Sequence, residues 1–389
     1  MYRCVIIGLS DSHRQYLQPE AVEHIRSGKV FSGGKRHHEL VRHLLPDDAV
    51  WIDITVPLDN VFKQYEQYED ITIFASGDPL FYGFANTIKR LYPEMQMKVL
   101  PAFNSLQMLT HRLNMAYQDM RAVSLTGRPW DKFDEALICG EQLIGCLTDR
   151  NKTPNAIWKR MLDYGYDNYM MYVGENLGNE ERERISIFEE GNEYDNPNCI
   201  ILKRKSLIRR GFGIPDSNFH LLNGRSRMIT KMPIRLASIA AMELDGKNSF
   251  WDIGFCTGSI SIEAKLAFPH LHITAFEIRK EGKELMEANS RKFHAPGINA
   301  VIGDFLTADI SRLESPEAVF IGGYGGRMKE MLAKVKTVLA ADGCIVFNSV
   351  SEESRTTFIE ATTALGMKPE ILHTIKVDDN NPITILRAI

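Results

Sequence analysis

Apolar runs and helical segments take turns along most of the chain. In the first half, short apolar runs at residues 3–8, 50–54 and 71–75 are separated by segments with helical spacing. In the second half, strands are predicted at 251–253, 272–276, 299–304, 318–321, 343–350, 371–377 and 383–388. Strands that alternate with helices form largely parallel sheets covered by helices. The pattern therefore predicts an α/β protein with a seven-stranded sheet in its second half.

A basic, poorly patterned segment separates the two halves. Residues 203–210 read KRKSLIRR and are followed by a Gly-Ile-Pro turn at 213–215, which is typical of a linker. A chain of 389 residues is long enough for two domains. We predict domains at 1–206 and 207–389.

The strand at 251–253 runs into a tight turn that opens directly into a helix. Such a turn leaves backbone N–H groups free and lets the main chain approach a polar ligand closely. About 20 residues further on, the next strand ends in Glu277, where an acid can bind the two hydroxyls of a ribose. The turn residues, all candidates for cofactor binding, are Gly254, Phe255, Cys256, Thr257 and Gly258.

This turn has shorter spacing than the G-x-G-x-x-G of dinucleotide sites, and it resembles motif I of the class I S-adenosylmethionine (SAM) methyltransferases. From Met228 onward the chain is similar to the C15-methylating, decarboxylating enzymes of the cobalamin pathway. The resemblance implies SAM contacts at Thr230, Gly303 and Asp304, with Asp304 on the adenine side. Pro233 stands where that family has a glutamate, so the glutamate's role does not transfer. Cys256 replaces the family's middle glycine, and we expect SAM to bind with altered geometry.

The first half carries four further motifs, each at a predicted strand end or just before a predicted helix. They are S-G-D-P from Ser76, P-A-F-N-S-L-Q from Pro101, L-T-D-x-x-x-T-P from Leu147 and G-E-N-L-G from Gly174. Together they resemble the class III (tetrapyrrole) SAM methyltransferases, most closely those that act at C5 of the macrocycle. The resemblance implies a class III fold, and it implies a SAM crevice at Gly8, Gly77, Asp78, Leu80 and Ser105. Of the family's glycine- and proline-rich first loop, only Gly8 is kept. Asp78 is also placed to cap the following helix.

The two resemblances together are to fused methyltransferases of corrin synthesis. They imply two methylations of one macrocycle, precorrin-6Y or its cobalt form, at C5 and C15, with loss of carbon dioxide from the C12 acetate and one SAM per domain. The substrate's carboxylates call for cationic partners, and Arg36 and Arg327 are the candidates, with exposed surface charge as the alternative. The six cysteines never form C-x-x-C, and the cluster His37, His38 and His43 lacks a carboxylate or thiolate at ligand spacing, so no metal site is predicted.

Charge and hydropathy narrow the classes of partner. The net charge of −4 gives no general attraction to nucleic acid, and no apolar run approaches the ~20 residues of a membrane span. We expect a cytoplasmic homo-oligomer that binds neither nucleic acid nor membrane. Two alternatives stay open: a SAM methyltransferase acting on RNA or another small molecule, and a SAM-binding sensor without turnover. The N/D-P-P-Y/F motif of amino-methylating enzymes is missing, since Ile321-Gly322-Gly323-Tyr324 stands in its place.

Overall fold

The computed structural model describes residues 3–222 and 228–389. The chain divides into two compact units: one comprises the residues up to Arg128 with Gln142–Trp158 and Tyr169–Lys205, and the other comprises Pro129–Glu141, Lys159–Asn168 and Ser206–Ile389. The grouping of segments 129–141 and 159–168 with the second unit has no counterpart in the sequence pattern. Compactness does not test independent folding, so the domains at 1–206 and 207–389 stay a prediction.

The first unit contains two five-stranded sheets. The first sheet is entirely parallel, in the order β3-β2-β4-β1-β5. Its strands are β1 (Arg3–Leu9), β2 (Val30–Gly33), β3 (Val50–Asp53), β4 (Asp70–Ser76) and β5 (Gln96–Leu100). Helices α1 (Pro19–Ser27), α2 (Lys35–Val41), α3 (Asp59–Tyr65) and α4 (Phe84–Leu91) connect these strands, and α5 (Ser105–Arg112), which follows β5, packs its Leu106 and Leu109 against the second sheet. Ile6, Ile73 and Phe74 are fully buried in this layer, as the apolar runs predict.

The second sheet of this unit is mostly antiparallel. Its order is β6-β7-β10-β8-β9, and only β6 and β7 run parallel. The strands are β6 (Arg121–Ser124), β7 (Leu143–Leu147), β8 (Tyr169–Glu175), β9 (Arg184–Ile187) and β10 (Asn198–Arg204). Helices α6 (Asp131–Cys139) and α7 (Pro154–Asp163) occupy the intervening chain.

The second unit is built on one seven-stranded sheet, which confirms the predicted fold class. Its order is β13-β12-β11-β14-β15-β17-β16. Strand β17 runs antiparallel to the other six strands, which all run in the same direction. The strands are β11 (Ser249–Ile253), β12 (His272–Glu277), β13 (Ile298–Ile302), β14 (Ala318–Ile321), β15 (Cys344–Ser349), β16 (Pro369–Ile375) and β17 (Ile383–Ala388). The helices are α8 (Met232–Ala241), α9 (Ser259–Ala267), α10 (Gly282–Lys292), α11 (Met328–Lys336) and α12 (Glu352–Ala364). The strand order reverses between β11 and β14, where open α/β sheets bind ligands.

Pro233, potential membrane spans and potential metal-binding groups can each be examined in the structure. Pro233 lies in the first turn of α8, where a helix tolerates proline because the N–H there has no intrahelical partner. Across residues 3–222 and 228–389, no helix combines the length and the apolar character needed to cross a bilayer. The same residues hold no group of three or more His, Cys, Asp or Glu side chains arranged to bind a metal.

Candidate cofactor sites

A cavity of about 690 Å³ opens at the carboxyl ends of β11, β12 and β14. The predicted residues that line it are Thr230, Gly254, Phe255, Cys256, Thr257, Glu277, Gly303, Asp304 and Arg327. Gly258 does not line it but ends the turn in the left-handed region, at φ +73°, immediately before α9. The structure therefore brings together, around one cavity, residues that are widely separated along the sequence.

The glycine turn passes unusually close to the neighbouring loop. A Cβ atom on Gly254 would come within 2.6 Å of the backbone nitrogen of Gly323, and φ of Gly254 is +78°. Only glycine fits such a position. Cys256 also lies in the left-handed region, with φ +50°, although it carries a side chain. The backbone at Cys256 thus keeps a glycine-like conformation despite the side chain, and the altered geometry of SAM binding stays a prediction.

Glu277 is held rigidly at the end of β12. It is 2% exposed, and its Oε2 atom accepts the N–H of Cys256 at 2.9 Å. Its Oε1 atom accepts the N–H of Arg279 and an N–H of the Arg279 guanidinium, both at 3.0 Å. Each carboxylate oxygen can accept more than one hydrogen bond, so the group retains capacity for ligand hydroxyls. A fixed acid beside a glycine cradle fits the ribose of SAM.

Asp304 and Arg327 form an ion pair on the cavity wall. A guanidinium nitrogen of Arg327 lies 2.9 Å from Oδ2 of Asp304, and the Leu306 N–H donates to Oδ1 at 3.0 Å. The hydrogen bond from Arg327 is the main cause that lowers the pKa of Asp304. Arg327 is therefore already engaged within the protein, although a guanidinium has five N–H donors and can bind a second anion.

Asp252 is a cavity residue that the sequence analysis did not select. It is 1% exposed in the middle of an apolar strand, and the Ser261 hydroxyl donates to its Oδ2 atom at 2.6 Å. Its Oδ1 atom is buried and has no hydrogen-bond partner among the described residues. Burial raises the pKa of Asp252 to about 7. The sequence did contain a signal for this residue, because Asp252 is an acid in an otherwise apolar strand just before the glycine turn.

The segment that carries Thr230 is fixed by a fully buried guanidinium. Arg235 is 0% exposed and donates to the backbone oxygen of Thr230 at 2.8 Å. It also forms ion pairs with Glu263 at 3.0 Å and Asp216 at 3.2 Å. Because both acids compensate the buried charge, the loop before α8 is tied to α9. Arg235 is thus a positioning residue for this wall of the cavity.

A second cavity, of about 470 Å³, lies within the first unit at the carboxyl ends of β1, β2 and β4. The predicted residues Gly77, Ser105 and Arg36 line it, whereas Gly8, Asp78 and Leu80 do not. Asp78 does not cap α4: its Oδ1 atom accepts the N–H of Leu80 at 2.9 Å, within the turn, and α4 begins after Gly83. The acid lies too early in the chain to reach the first turn of that helix.

Gly8 and Gly77 are required by backbone packing. A Cβ atom on Gly8 would come within 2.0 Å of the carbonyl oxygen of Gly77, and φ of Gly77 is +61°. The Gly77 N–H donates to the Leu9 oxygen at 2.7 Å, and the Gly77 oxygen accepts the Ala102 N–H at 3.2 Å. This packing brings three chain segments together at the cavity. Whether Gly8 also contacts a cofactor stays a prediction, as do the other assigned contacts.

Arg36, like Arg327, forms an ion pair with an aspartate. Its guanidinium lies 2.8 Å from Oδ1 of Asp11, and both residues line the cavity of the first unit. Of the three clustered histidines, His37 bonds to Ser76 and His38 stacks on Trp51 with ring centroids 4.1 Å apart. Both of these rings are thus in contact with protein groups.

Each unit therefore carries its own strand-end cavity with a glycine turn, the place where open α/β sheets bind ligands. Comparison with known proteins divides the chain in a similar way. The model of the tetrapyrrole (corrin/porphyrin) methylases matches residues 3–190, and that of a precorrin methyltransferase domain matches residues 223–388.

Three relatives indicate the particular family of methyltransferases to which the chain is similar. A precorrin-6Y C(5,15)-methyltransferase (decarboxylating) of Sinorhizobium sp is 28% identical over 93% of this chain and 88% of its own. In Salmonella typhimurium (strain LT2), a cobalt-precorrin-7 C(5)-methyltransferase is 26% identical over 46% of this chain and 87% of its own. From the same strain, a cobalt-precorrin-6B C(15)-methyltransferase (decarboxylating) is 30% identical over 34% of this chain and 68% of its own. The chain belongs to the precorrin-6Y C5,15-methyltransferases (decarboxylating), a family of SAM-dependent methyltransferases.

Proposed function

We propose that this chain methylates precorrin-6Y, or its cobalt form, at C5 and C15 and removes the carboxyl group of the C12 acetate, as a homo-oligomer in the cytoplasm. The observation that carries the proposal is the presence of two separate strand-end cavities in a chain of this family. We assign the C5 reaction to the cavity lined by Gly77, and the C15 reaction with decarboxylation to the cavity lined by Glu277. Single-activity relatives that each match less than half of the chain support this division.

SAM, one molecule in each cavity, supplies an electrophilic methyl group. The chain's own task is to align and shield the reactants, since the electron-rich macrocycle carbon is itself the nucleophile. In the second unit, the glycine turn and Glu277 would hold the cofactor. Asp304 would lie near its adenine, and Thr230 on the segment fixed by Arg235 would close one wall.

The macrocycle supplies its own electron sink for the decarboxylation. When the bond between the acetate methylene and its carboxylate breaks, the electron pair enters the conjugated ring and carbon dioxide leaves. The methylene carbon then takes a proton and becomes a methyl group. Arg327, and Arg36 in the other cavity, would hold carboxylates at the ring periphery through donors not used by Asp304 and Asp11.

The test is to incubate the full chain with SAM and precorrin-6Y, in metal-free and cobalt-containing forms, and to weigh the product. We expect one of the two forms to become heavier by two methyl groups, each replacing a hydrogen, and lighter by one carbon dioxide. A protein that binds SAM but leaves both substrates unchanged would be a sensor. Methyl incorporation into added RNA, with no change in the precorrin, would favour the nucleic-acid alternative.

A further inference from the structure

His37 bridges two strand ends in the cavity of the first unit. It lies in α2 directly after β2, and its ring reaches Ser76, the last residue of the neighbouring strand β4. The His37 Nδ1 atom accepts the Gly34 N–H at 3.2 Å, and Nε2 lies 2.9 Å from the Ser76 Oγ atom. A Cβ atom on Gly33 would come within 3.1 Å of the His37 Cβ, so the glycine makes room for this ring.

These contacts fix the tautomer of the imidazole. Because Nδ1 accepts a backbone N–H, the single proton of the neutral ring resides on Nε2, which donates to the Ser76 oxygen. Burial, together with the positive charge of Arg36, lowers the pKa of His37 to about 4, which keeps the ring neutral near pH 7. The Ser76 oxygen is thus an acceptor toward His37, and its own hydrogen is turned away from the ring.

Among residues 3–222 and 228–389, the Ser76 hydroxyl is hydrogen-bonded to His37 alone, so its own hydrogen has no protein acceptor. Ser76 is exposed and lines the cavity together with His37, Arg36 and Asp11. Asp11 occupies one nitrogen of the Arg36 guanidinium and leaves other donors of that group available. The cavity wall therefore presents an oriented hydroxyl donor and a cation, the combination that binds a carboxylate.

We propose that Ser76, oriented by His37, donates a hydrogen bond to a carboxylate of the ligand in this cavity, on the same wall as Arg36. The inference rests on the proposed function and deepens it, because both reactants of the C5 transfer carry carboxylates. One source is the methionine carboxylate of SAM, and the other is an acetate or propionate of the macrocycle. Ser76 is then a binding residue and His37 a positioning residue.

The experiment measures equilibrium binding of SAM and of the macrocycle, each alone, to the full chain by calorimetry, and the heats of each ligand are fitted with one site in each unit. Ser76→Ala removes the donor, and His37→Ala removes its orientation. A hydrogen bond to a charged group corresponds to a loss of about tenfold in affinity. We expect this loss at one site for one of the two ligands, and the ligand affected identifies the source of the carboxylate. Ser76→Thr and His37→Gln keep a hydroxyl and an N–H donor, so they should bind within about threefold of the wild type.

The C15 reaction is the internal control, because it uses the same SAM and macrocycle in the other cavity. Its yield and the loss of carbon dioxide should be unchanged in all four variants, while C5 methylation by Ser76→Ala at subsaturating ligand falls. The inference is overturned if Ser76→Ala binds both ligands as the wild type does, or if Ser76→Thr is impaired as much as Ser76→Ala. A wild-type chain that methylates neither carbon would contradict the proposed function but would leave the binding comparison intact.

Discussion

Cys256 adopts a backbone conformation that residues with a side chain rarely take, with φ +50°. The left-handed region costs a non-glycine residue about 1–2 kcal/mol, because its Cβ crowds the following carbonyl. Cys256→Gly removes that Cβ, and part of the gain is offset by glycine's larger loss of backbone entropy. We expect the free energy of unfolding to rise by up to about 1 kcal/mol in urea titrations.

Cys256→Ser is the matched control, because serine keeps the Cβ and therefore the strain. It should be no more stable than the wild type. The strain explanation would be contradicted if Cys256→Ser gained as much stability as Cys256→Gly.

Asp252 makes a pH-dependent contribution to stability. Its pKa is raised in the folded protein to about 7, from an ordinary value near 3.8, mainly by burial. The folded state therefore binds the proton more tightly, and this contribution to stability is lost as pH rises from about 4 through about 7. Asp252→Asn should remove this dependence. Its urea midpoint should therefore rise relative to that of the wild type as the pH increases from about 5 to about 8.

Asp304→Asn provides a control of opposite sign. The pKa of Asp304 is lowered, first by the hydrogen bond from Arg327, so its contribution is lost only as pH falls below the ordinary range for aspartate. The difference in urea midpoint between Asp304→Asn and the wild type should therefore be the same at about pH 5 and about pH 8. If the difference in urea midpoint between Asp252→Asn and the wild type were also independent of pH, Asp252 would be charged in the folded protein over this whole pH range.

At the scale of elements, the loop before α5 shapes the cavity of the first unit through a capping box. The Asn104 side chain accepts the Gln107 N–H at 2.9 Å, and the Gln107 side chain accepts the Asn104 N–H at 3.0 Å. Loss of such a cap costs about 1 kcal/mol. Asn104→Ala should lower the free energy of unfolding in urea titrations by that amount, whereas Asn104→Asp should preserve it. Equal midpoints for Asn104→Ala and Asn104→Asp would show that the cap contributes nothing.

The strands that the sequence predicted all coincide with apolar runs, but equally apolar strands such as β7 (Leu143–Leu147) and β10 (Asn198–Arg204) were given no bounds from the sequence. The three predicted in the first half and the seven in the second half lie within one or two residues of observed strands. Strand β2 was missed because its four residues, Val30–Gly33, end in serine and glycine. Its burial depends on strand β4, which is remote in sequence and lies beside it in the sheet.

The candidate sites were predictable to the extent that ligand contacts come from strand ends. Glu277 and the glycine turn were found because a parallel sheet places successive strand ends along one edge. The orphaned oxygen of Asp252 and the pairing of Arg36 with Asp11 depend on contacts that no local pattern encodes. For Gly8, the sequence could not distinguish close packing against Gly77 from contact with a ligand.

At the scale of the whole molecule, the central claim is that one chain contains two methyl-transfer centres that fail separately. Gly77 and Glu277 each line one cavity, so a change at one should leave the chemistry of the other intact. A valine at Gly77 would crowd Asn104, whose Cα would lie 2.9 Å from the new Cβ, in a backbone conformation with φ +61°. Gly127 has φ +62° but open space around it, so Gly127→Val controls for backbone strain alone.

The decisive measurement is the mass of the product that the full-length wild type, Gly77→Val, Gly127→Val and Glu277→Ala each form from precorrin and SAM. Wild type and Gly127→Val should add two methyl groups and remove one carbon dioxide. Gly77→Val should add one methyl group and still remove carbon dioxide. At low SAM concentration, the product formed by Glu277→Ala should keep the C12 acetate and lack the C15 methyl group. The account would be contradicted if folded Gly77→Val added both methyl groups, or if either single-site variant abolished both transfers together.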